Sequence, residues 1–498
     1  MRVLLVYPET PSTFYGFRHA LRFISKKADG PPLGLLTVAA MLPGEWEKKL
    51  IDMNVAPLRD KDILWADYVF VSGMNIQKAS FKDVIKRCNE LGVKVVAGGP
   101  MATIEHEEFD GVDHFVLNEA EITLPMFLED LKSGSPKHMY TSSKFPDISL
   151  TPVPLWDLLD MKAYATMYLQ YSRGCPFNCE FCSVTMLNGH KPRTKSKEQF
   201  LAELQSLYEL GWRGGIFVVD DNFIGNKKKL KAEMLPALID WGRRRSYPFE
   251  FTTEASINLA DDPELVQLMV EAGFHSVFTG IETPNDESLA ECGKSQNLHR
   301  DLLGSVRFLQ RRGLRVSAGF IVGFDHDSPG IFEQMVNFIQ KSGIVTAMVG
   351  LLNAPPGTRL FQRLKSENRL LNLASGDNMD GSMNFVPKMD YERLKRGYRE
   401  ILENIYSHKQ YYERVKTLLR EYNPQLKKPR RVTLQDVKAI LRSVWVLGVV
   451  EKGKRYYWQL FFLSLFKYRR KFSLAMMMAV YGLHFRRIVD AIRRSSLA

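Results

Sequence analysis

The run Met167-Tyr168-Leu169-Gln170-Tyr171-Ser172-Arg173-Gly174-Cys175-Pro176-Phe177-Asn178-Cys179-Glu180-Phe181-Cys182 decides how this chain is read. Met167–Tyr171 has the apolar, aromatic make-up of a buried strand. It breaks at Gly174 into a loop that carries three cysteines spaced C-x3-C-x2-C. Thiolates this close in sequence can converge on one soft metal centre. Zinc competes, but a closed structural zinc site takes four ligands. His190 is the nearby candidate for a fourth, and Cys88 and Cys292 are remote in sequence. Three buried structural cysteines are the plainest alternative. Five cysteines in 498 residues exclude a disulfide scaffold and suit a reducing compartment.

Downstream of this strand the pattern repeats. Gly215–Val219, Glu250–Thr253, Ser276–Thr279, Arg315–Ile321 and Ala347–Leu352 read as strands. Lys197–Leu210, Leu230–Arg243, Pro263–Ala272, Leu298–Arg312 and Pro329–Lys341 read as the helices between them. Such a run of βα units predicts a partial or full (β/α) barrel of the TIM type over 167–388. In that architecture the chemistry sits where strands end. Asp220 and Asp221 follow the second strand, Glu254 the third and Glu282 the fourth, while Gly323 follows the fifth. A solvated loop acid or a helix N-cap is the plain reading of any one of these carboxylates.

Upstream, residues 1–135 alternate in the same way. Val3–Tyr7, Lys49–Met53, Tyr68–Ser72, Val93–Ala97 and Phe115–Leu117 read as strands. Leu33–Leu42, Phe81–Leu91 and a stretch around Leu124–Leu131, with Pro125 in its first turn, read as helices. This predicts a Rossmann-like, doubly wound parallel sheet. Leu33 and Gly34 open its first helix. Ser72 and Gly73 follow one strand, and Gly98, Gly99 and Pro100 follow the next. Small residues at strand ends let a backbone approach a large flat ligand. Residues 136–166, polar and punctuated by prolines, read as a linker.

The rest of the chain, 389–498, reads as helical and basic. From Lys427 onward there are seventeen Lys and Arg against Asp436, Glu451 and Asp490, a balance of +14 in a chain whose net charge is +12. Aromatic residues interleave with the cations in Arg455-Tyr456-Tyr457-Trp458-Gln459-Leu460-Phe461-Phe462 and Phe466-Lys467-Tyr468-Arg469-Arg470-Lys471. That pattern fits a helical cap on the barrel or contact with an anionic lipid surface. RNA is a third fit for such a segment, and nucleic acid is not expected as a partner. No stretch reaches the ~20 continuous apolar residues of a membrane span. No secretory signal is read at Met1. A cytoplasmic protein is expected, with peripheral contact at the inner face of a membrane.

Cys175, Cys179 and Cys182, with Phe181 before the last cysteine, resemble the signature of radical S-adenosylmethionine (SAM) enzymes. The resemblance implies a [4Fe–4S] cluster on these three thiolates, with SAM on its open iron and a 5′-deoxyadenosyl radical as the product of SAM cleavage. It places Phe181, Asp220, Asp221, Glu254, Glu282 and Gly323 at the SAM site. Val219–Phe223 stands where the family has a Gly-Gly-Glu-like element, and it departs from that pattern. The preceding α/β domain makes the whole similar to the cobalamin-binding subfamily. Cobalamin is then implied at Leu33, Gly34, Ser72, Gly73, Gly98, Gly99 and Pro100. No histidine follows an Asp by two places, so a histidine below the cobalt is not expected.

Phe217–Asn226 and Gly280–Pro284 look like the hopanoid C-2 methylases and the bacteriochlorophyll ring methyltransferases. The resemblance implies a C-methyltransferase acting on an unactivated carbon of a lipid-like or large apolar substrate, fed by a small electron donor such as flavodoxin or ferredoxin. The alternative is a radical enzyme that forms a ring or a carbon–carbon bond without methyl transfer. A methylthiotransferase would need further N-terminal cysteines, and only Cys88 is there. A purely corrinoid- or cluster-binding protein would leave the aligned carboxylates without a role.

Overall fold

The computed structural model describes residues 1–371, 381–425 and 433–495. Parts of the basic C-terminal region, 426–432 and 496–498, lie outside the described residues. The first sheet comprises β1 (Arg2–Tyr7), β2 (Glu47–Asp52), β3 (Tyr68–Ser72), β4 (Lys94–Gly98), β5 (His114–Val116) and β6 (Met139–Tyr140). Its order is β2-β1-β3-β4-β5-β6, with every pairing parallel. Val3 to Val6 are fully buried because helices cover both faces. Phe81, Val84 and Cys88 of helix Lys78–Glu90 fill one side, and Leu35, Ala39, Leu124 and Phe127 fill the other. Cys88 is therefore an apolar core thiol, pushed up to about 12 by burial. Strand β6 lies inside the stretch read as linker. Helix Ala120–Lys132 begins four residues earlier than expected, so Pro125 sits in its interior rather than in its first turn. The missing proline N–H leaves one rung of that helix unmade.

The second sheet comprises β7 (Thr166–Leu169), β10 (Gly215–Val218), β11 (Glu250–Glu254), β12 (Phe274–Glu282), β13 (Arg315–Val322) and β14 (Ala347–Leu351). A two-residue hairpin, β8 (Ser172–Arg173) with β9 (Arg193–Thr194), frames the cysteine loop between β7 and β10. The sheet order is β14-β13-β12-β11-β10-β7, all parallel. It is an open, six-stranded partial barrel, the partial form of the two that the sequence pattern allows. The two edges are covered in other ways. Residues 27–29 run beside 163–166, with Ala165 N donating to Ala28 O and Thr166 N to Asp29 O. At the other edge helix Tyr391–Tyr406 packs on β14, and Tyr406 Oη donates to Ala347 O at 2.5 Å.

A parallel sheet covered on both faces would be buried at every position. Here β7, β10 and β13 alternate buried with half-buried residues along their length. The buried set packs on the outer helices. The half-buried set, which includes Tyr168, Phe217, Ser317 and Ile321, faces the inner side of the sheet. Tyr168 and Phe217 meet edge-on at 5.7 Å between ring centres. The N-terminal segment and the last helix, Phe472–Ser495, bring more rings to this region. Tyr15 lies 6.5 Å from Phe278, and Phe17 lies 4.6 Å from Tyr481. No helix among the described residues is long and apolar enough to cross a membrane.

Candidate functional site

The cysteine loop is held by the carboxylates that end β10. Asp220 is 1% exposed, and its two oxygens accept Tyr171 N at 2.7 Å and Ser172 Oγ at 2.6 Å. Asp221 Oδ2 accepts Gly174 N at 3.1 Å and Asn188 Nδ2 at 3.0 Å. Gly174 turns with φ +94, and a Cβ there would lie within 3.0 Å of the carbonyls of Asn188, Gly189 and Lys191. Only glycine suits that position. Cys175 N then donates to Gly189 O at 3.2 Å, and Cys182 N to Cys179 O at 3.1 Å. All three thiols are half-buried. Burial is the main reason that Cys182 is pushed up to about 12 and Cys175 is raised, and both feel the charge of Cys179.

Residues after β12 close the far side of the loop. Lys294 Nζ donates to Glu282 Oε1 at 2.6 Å and lies 6.0 Å from the centre of the Phe181 ring. Burial would lower the Lys294 pKa, but Glu282 and the thiols of Cys179 and Cys182 outweigh it and hold the ammonium charged. Gln296 Nε2 points at Cys179 Sγ at 3.8 Å. Asn297, fully buried, donates to Gly280 O and Ile281 O. Glu282 itself has φ +63, an uncommon backbone state for a residue with a side chain.

The other expected residues fall into two groups. Glu254 is half-buried, and its carboxyl is pushed up to about 7, chiefly by burial and then by Asp221 and Asp220. Of the strand-end carboxylates it is the one without a side-chain hydrogen-bond or salt-bridge partner among the described residues. Asp220, Asp221 and Glu282 are engaged by the protein. Asp220 and Asp221 are struts of the cysteine loop, and Glu282 anchors Lys294. Gly323 has φ +108, and its N–H is bound by Asp327 Oδ2 at 2.8 Å, so its amide too is committed.

The loop is tied to its surroundings by two ion-pair clusters that the sequence reading did not anticipate. Arg173 Nη1 donates to Glu119 Oε2 at 2.6 Å, and its Nη2 to Glu121 Oε1 at 2.9 Å. Arg193 Nη2 joins Glu119 Oε1 at 2.6 Å. These bonds fasten the first domain to the hairpin that carries Cys175. On the other flank Arg363 reaches Glu180 at 2.8 and 3.1 Å and Asp325 at 3.0 Å. Glu180 lies between Cys179 and Cys182 in the chain. Forked Arg–carboxylate pairs fix geometry as well as charge.

In the first domain the positions expected to meet a corrin lie at the carboxyl edge of the sheet, the usual ligand crevice of such folds. Leu33 is half-buried and Gly34 exposed, and a Cβ on Gly34 would meet open space. Ser72 and Gly73 follow β3. Gly98 and Gly99 have a reason within the protein itself. A Cβ on Gly98 would come within 2.7 Å of Val116 O, and one on Gly99 within 2.2 Å of Ser72 Oγ. Pro100 fits the first turn of helix Gly99–Glu105. The same edge meets the partial barrel through Asp52, which accepts Tyr164 Oη at 3.0 Å, and Asp29, which accepts Tyr168 Oη at 2.9 Å.

The residues present fit the groups that the sequence pattern implies. Among the described residues no three His, Cys, Asp or Glu side chains converge tightly enough for a single ion. A cluster asks for something different, since each thiolate binds its own iron. Three thiols on one loop, with a charged lysine and an amide donor facing them, suit an anionic iron–sulfur–thiolate assembly. Open space beside the exposed Gly34, at the carboxyl edge of a doubly wound sheet, suits the approach of a large planar ligand.

Comparison with known proteins agrees. The Radical SAM superfamily model matches residues 169–339, and the B12 binding domain model matches 21–128. A domain of unknown function matches 358–497. An uncharacterized methyltransferase of Synechocystis sp. is 43% identical over 463 residues, covering 92% of this chain and 86% of that protein. The hopanoid C-2 methylase of Rhodopseudomonas palustris is 31% identical over 477 residues, covering 92% and 88%. The cobalamin-dependent radical enzyme OxsB, solved with aqua-cobalamin and SAM bound, superposes with a TM-score of 0.62 at 17% identity, covering 99% of this chain and 80% of that one. Family membership brings the cofactor set with it, a [4Fe–4S] cluster, SAM and cobalamin, and the chain belongs to the cobalamin-dependent radical SAM methyltransferases.

Proposed function

We propose that this enzyme methylates an unactivated carbon of a lipid-like, large apolar substrate held on the inner side of the partial barrel. The observation that carries the reading is the ring-rich inner side described above. Tyr168 and Phe217 lie on the sheet, and Tyr15, Phe17 and Tyr481 approach from the N-terminal segment and the last helix. Aromatic walls offer a large apolar molecule extensive contact area. The hopanoid methylase relative favours the same class.

When bound, the cluster with SAM supplies a 5′-deoxyadenosyl radical, and cobalamin supplies the methyl group. Within this reading Cys175, Cys179 and Cys182 hold the cluster. Lys294 Nζ, kept protonated by Glu282, balances the negative charge of the thiolates and of the SAM carboxylate. Phe181 and Gln296 flank that site, and Gly323 shapes the turn beside it. Glu254 offers the carboxyl that faces SAM, and Asp220 and Asp221 fix the loop. Leu33, Gly34, Ser72, Gly73, Gly98, Gly99 and Pro100 border the corrin. A small reductant such as flavodoxin or ferredoxin delivers the electron to this cytoplasmic enzyme. Layout 1–135, 136–166, 167–388 and 389–498 then corresponds to corrin domain, linker, radical domain and helical cap, with β6 returning from the linker to the first sheet.

The test is label transfer. Reconstituted enzyme with deuteromethyl-labelled SAM is incubated with a bacterial lipid extract, and the lipids are read by mass spectrometry. A labelled apolar lipid is the expected product. Label confined to water-soluble products would overturn the substrate class.

A further inference from the structure

The solvent side of helix Lys454–Phe466 carries a feature that the reaction does not use and that the fold uses only at its first ring, Trp458, whose Nε1 donates to Gly448 O at 3.0 Å. Trp458, Phe462 and Phe466 stand four residues apart along one strip of it, and their rings stack in sequence. Trp458 and Phe462 lie 5.6 Å apart at 25°, and Phe462 and Phe466 lie 6.3 Å apart at 12°. Phe462 is 50% exposed, Phe466 76% and Leu465 37%. The opposite side is spent on the protein, since Tyr457, Leu460 and Ser464 are buried. Large apolar side chains held this far out mark an interaction surface rather than a core.

The charges around the strip identify its partner. Lys452, Lys454 and Arg455 stand at its start, and Lys467, Arg469 and Arg470 at its end, all exposed. Between Glu451 and Asp490 the sequence has no acidic residue, and Glu451 is engaged by Arg487 at 2.7 Å. Lys454 and Arg455 occupy the first turn of the helix, where the macrodipole disfavours cations. Their placement costs the isolated helix stability, so it answers to something outside the fold. Rings in the middle and cations at both ends are the pattern of a helix lying in the headgroup layer of an anionic membrane.

We propose that helix Lys454–Phe466 docks the enzyme on an anionic lipid bilayer, with Phe462, Leu465 and Phe466 entering the interface and the six flanking cations meeting headgroups. This rests on the surface itself and holds whichever carbon, or whichever reaction, the site serves.

The experiment is co-flotation of the full-length protein with vesicles of phosphatidylcholine containing 30% phosphatidylglycerol, and with vesicles of phosphatidylcholine alone. Binding is expected to the anionic vesicles and to weaken at high salt. The Phe462→Ser/Phe466→Ser variant should bind at least tenfold more weakly, because two rings no longer leave water. Lys454→Gln/Arg455→Gln should lose about fivefold for each cation removed. Both pairs are exposed, and unchanged circular dichroism verifies the fold. Leu441→Ser/Trp445→Ser changes apolar residues exposed elsewhere on the helical layer (63% and 64%) and should leave binding intact. The proposal is overturned if wild-type protein fails to float with anionic vesicles. It is equally overturned if the phenylalanine variant floats as well as wild type, if the Leu441/Trp445 pair proves to be the determinant, or if an RNA oligonucleotide displaces the protein from vesicles.

Discussion

Replacing Arg173 by methionine tests whether the first domain and the cysteine loop are one mechanical unit. The side chain is 14% exposed, and its partners Glu119 and Glu121 are 8% and 3% exposed. The substitution removes three hydrogen bonds of 2.6 to 3.0 Å to two carboxylates. Glu119 keeps Arg193, but Glu121 is left with Thr151 Oγ1 and its own backbone N–H, and no opposite charge. Stranding a buried charge in this way costs about 3–5 kcal/mol. The surviving Arg193 pair places the expectation near the lower end, about 3 kcal/mol.

The loss should depend on pH. Burial acts to raise the Glu121 carboxyl, and Arg173 outweighs it, so the folded pKa is lowered. A lowered carboxylate stabilises the fold above its unfolded value and loses that contribution as pH falls through the folded one. In Arg173→Met the Glu121 carboxyl takes up a proton more readily, so the deficit against wild type is full at pH 7 and shrinks as pH falls through the ordinary carboxylate range. Urea unfolding followed by tryptophan fluorescence, at pH 7 and pH 5, reads both effects. Iron and sulfide content reads the consequence for the cysteine loop. Adding Glu121→Gln to Arg173→Met should recover part of the loss. A deficit below about 1 kcal/mol, or one unchanged between the two pH values, would refute the reasoning.

Three further outcomes are expected. Gly174→Ala forces a Cβ against three carbonyl oxygens at a left-handed turn, and it should abolish iron incorporation while the first domain, followed by limited proteolysis, stays folded. Arg363→Gln should lower cluster retention. It should also raise the pH at which the apoprotein loses stability in acid, because Asp325 is held at about 2 by Arg369 and Arg363 against its burial. Acid titration of the unfolding midpoint measures that shift. Glu254 is pushed up to about 7 by burial and neighbouring Asp221 and Asp220. A raised carboxyl stabilises the fold below its unfolded pKa, and that contribution is lost as pH rises through about 7. Glu254→Gln should therefore flatten the fall in apoprotein stability between pH 5.5 and pH 8, and an unchanged slope would contradict its assignment.

Much of this architecture could be read in the sequence because the informative features are local. The βα rhythm follows from short apolar runs ended by Gly or acidic residues, and C-x3-C-x2-C needs no tertiary knowledge. Edges are different. Nothing near Leu351 announces that β14 is the last strand, or that helix Tyr391–Tyr406 covers it. A two-residue strand such as β6 is too short to have a period. Gly98 and Gly99 look like ligand-approach glycines, yet the atoms that forbid a side chain there belong to Val116 and Ser72. Likewise Asp220 and Asp221 have the residue type of a SAM contact, and only the geometry reveals that they also accept from backbone and side-chain donors of the cysteine loop. Arg363 was missed because its partner Glu180 lies over a hundred residues away, and Lys294 because the thiols of Cys179 and Cys182 that feel its charge are equally remote, although its ion-pair partner Glu282 is twelve positions before it. A signal did exist for Arg173, an arginine directly before the Gly-Cys of the loop, but its partners Glu119 and Glu121 lie in another domain.

The central claim is methyl transfer through cobalamin on an apolar substrate. The most direct measurement uses anaerobically reconstituted protein with hydroxocobalamin, a strong reductant, SAM and a total bacterial lipid extract, and quantifies 5′-deoxyadenosine and S-adenosylhomocysteine together. The account predicts that both products form, and that both depend on the lipid. Deoxyadenosine without the homocysteine product, from protein with a full cluster, would contradict it.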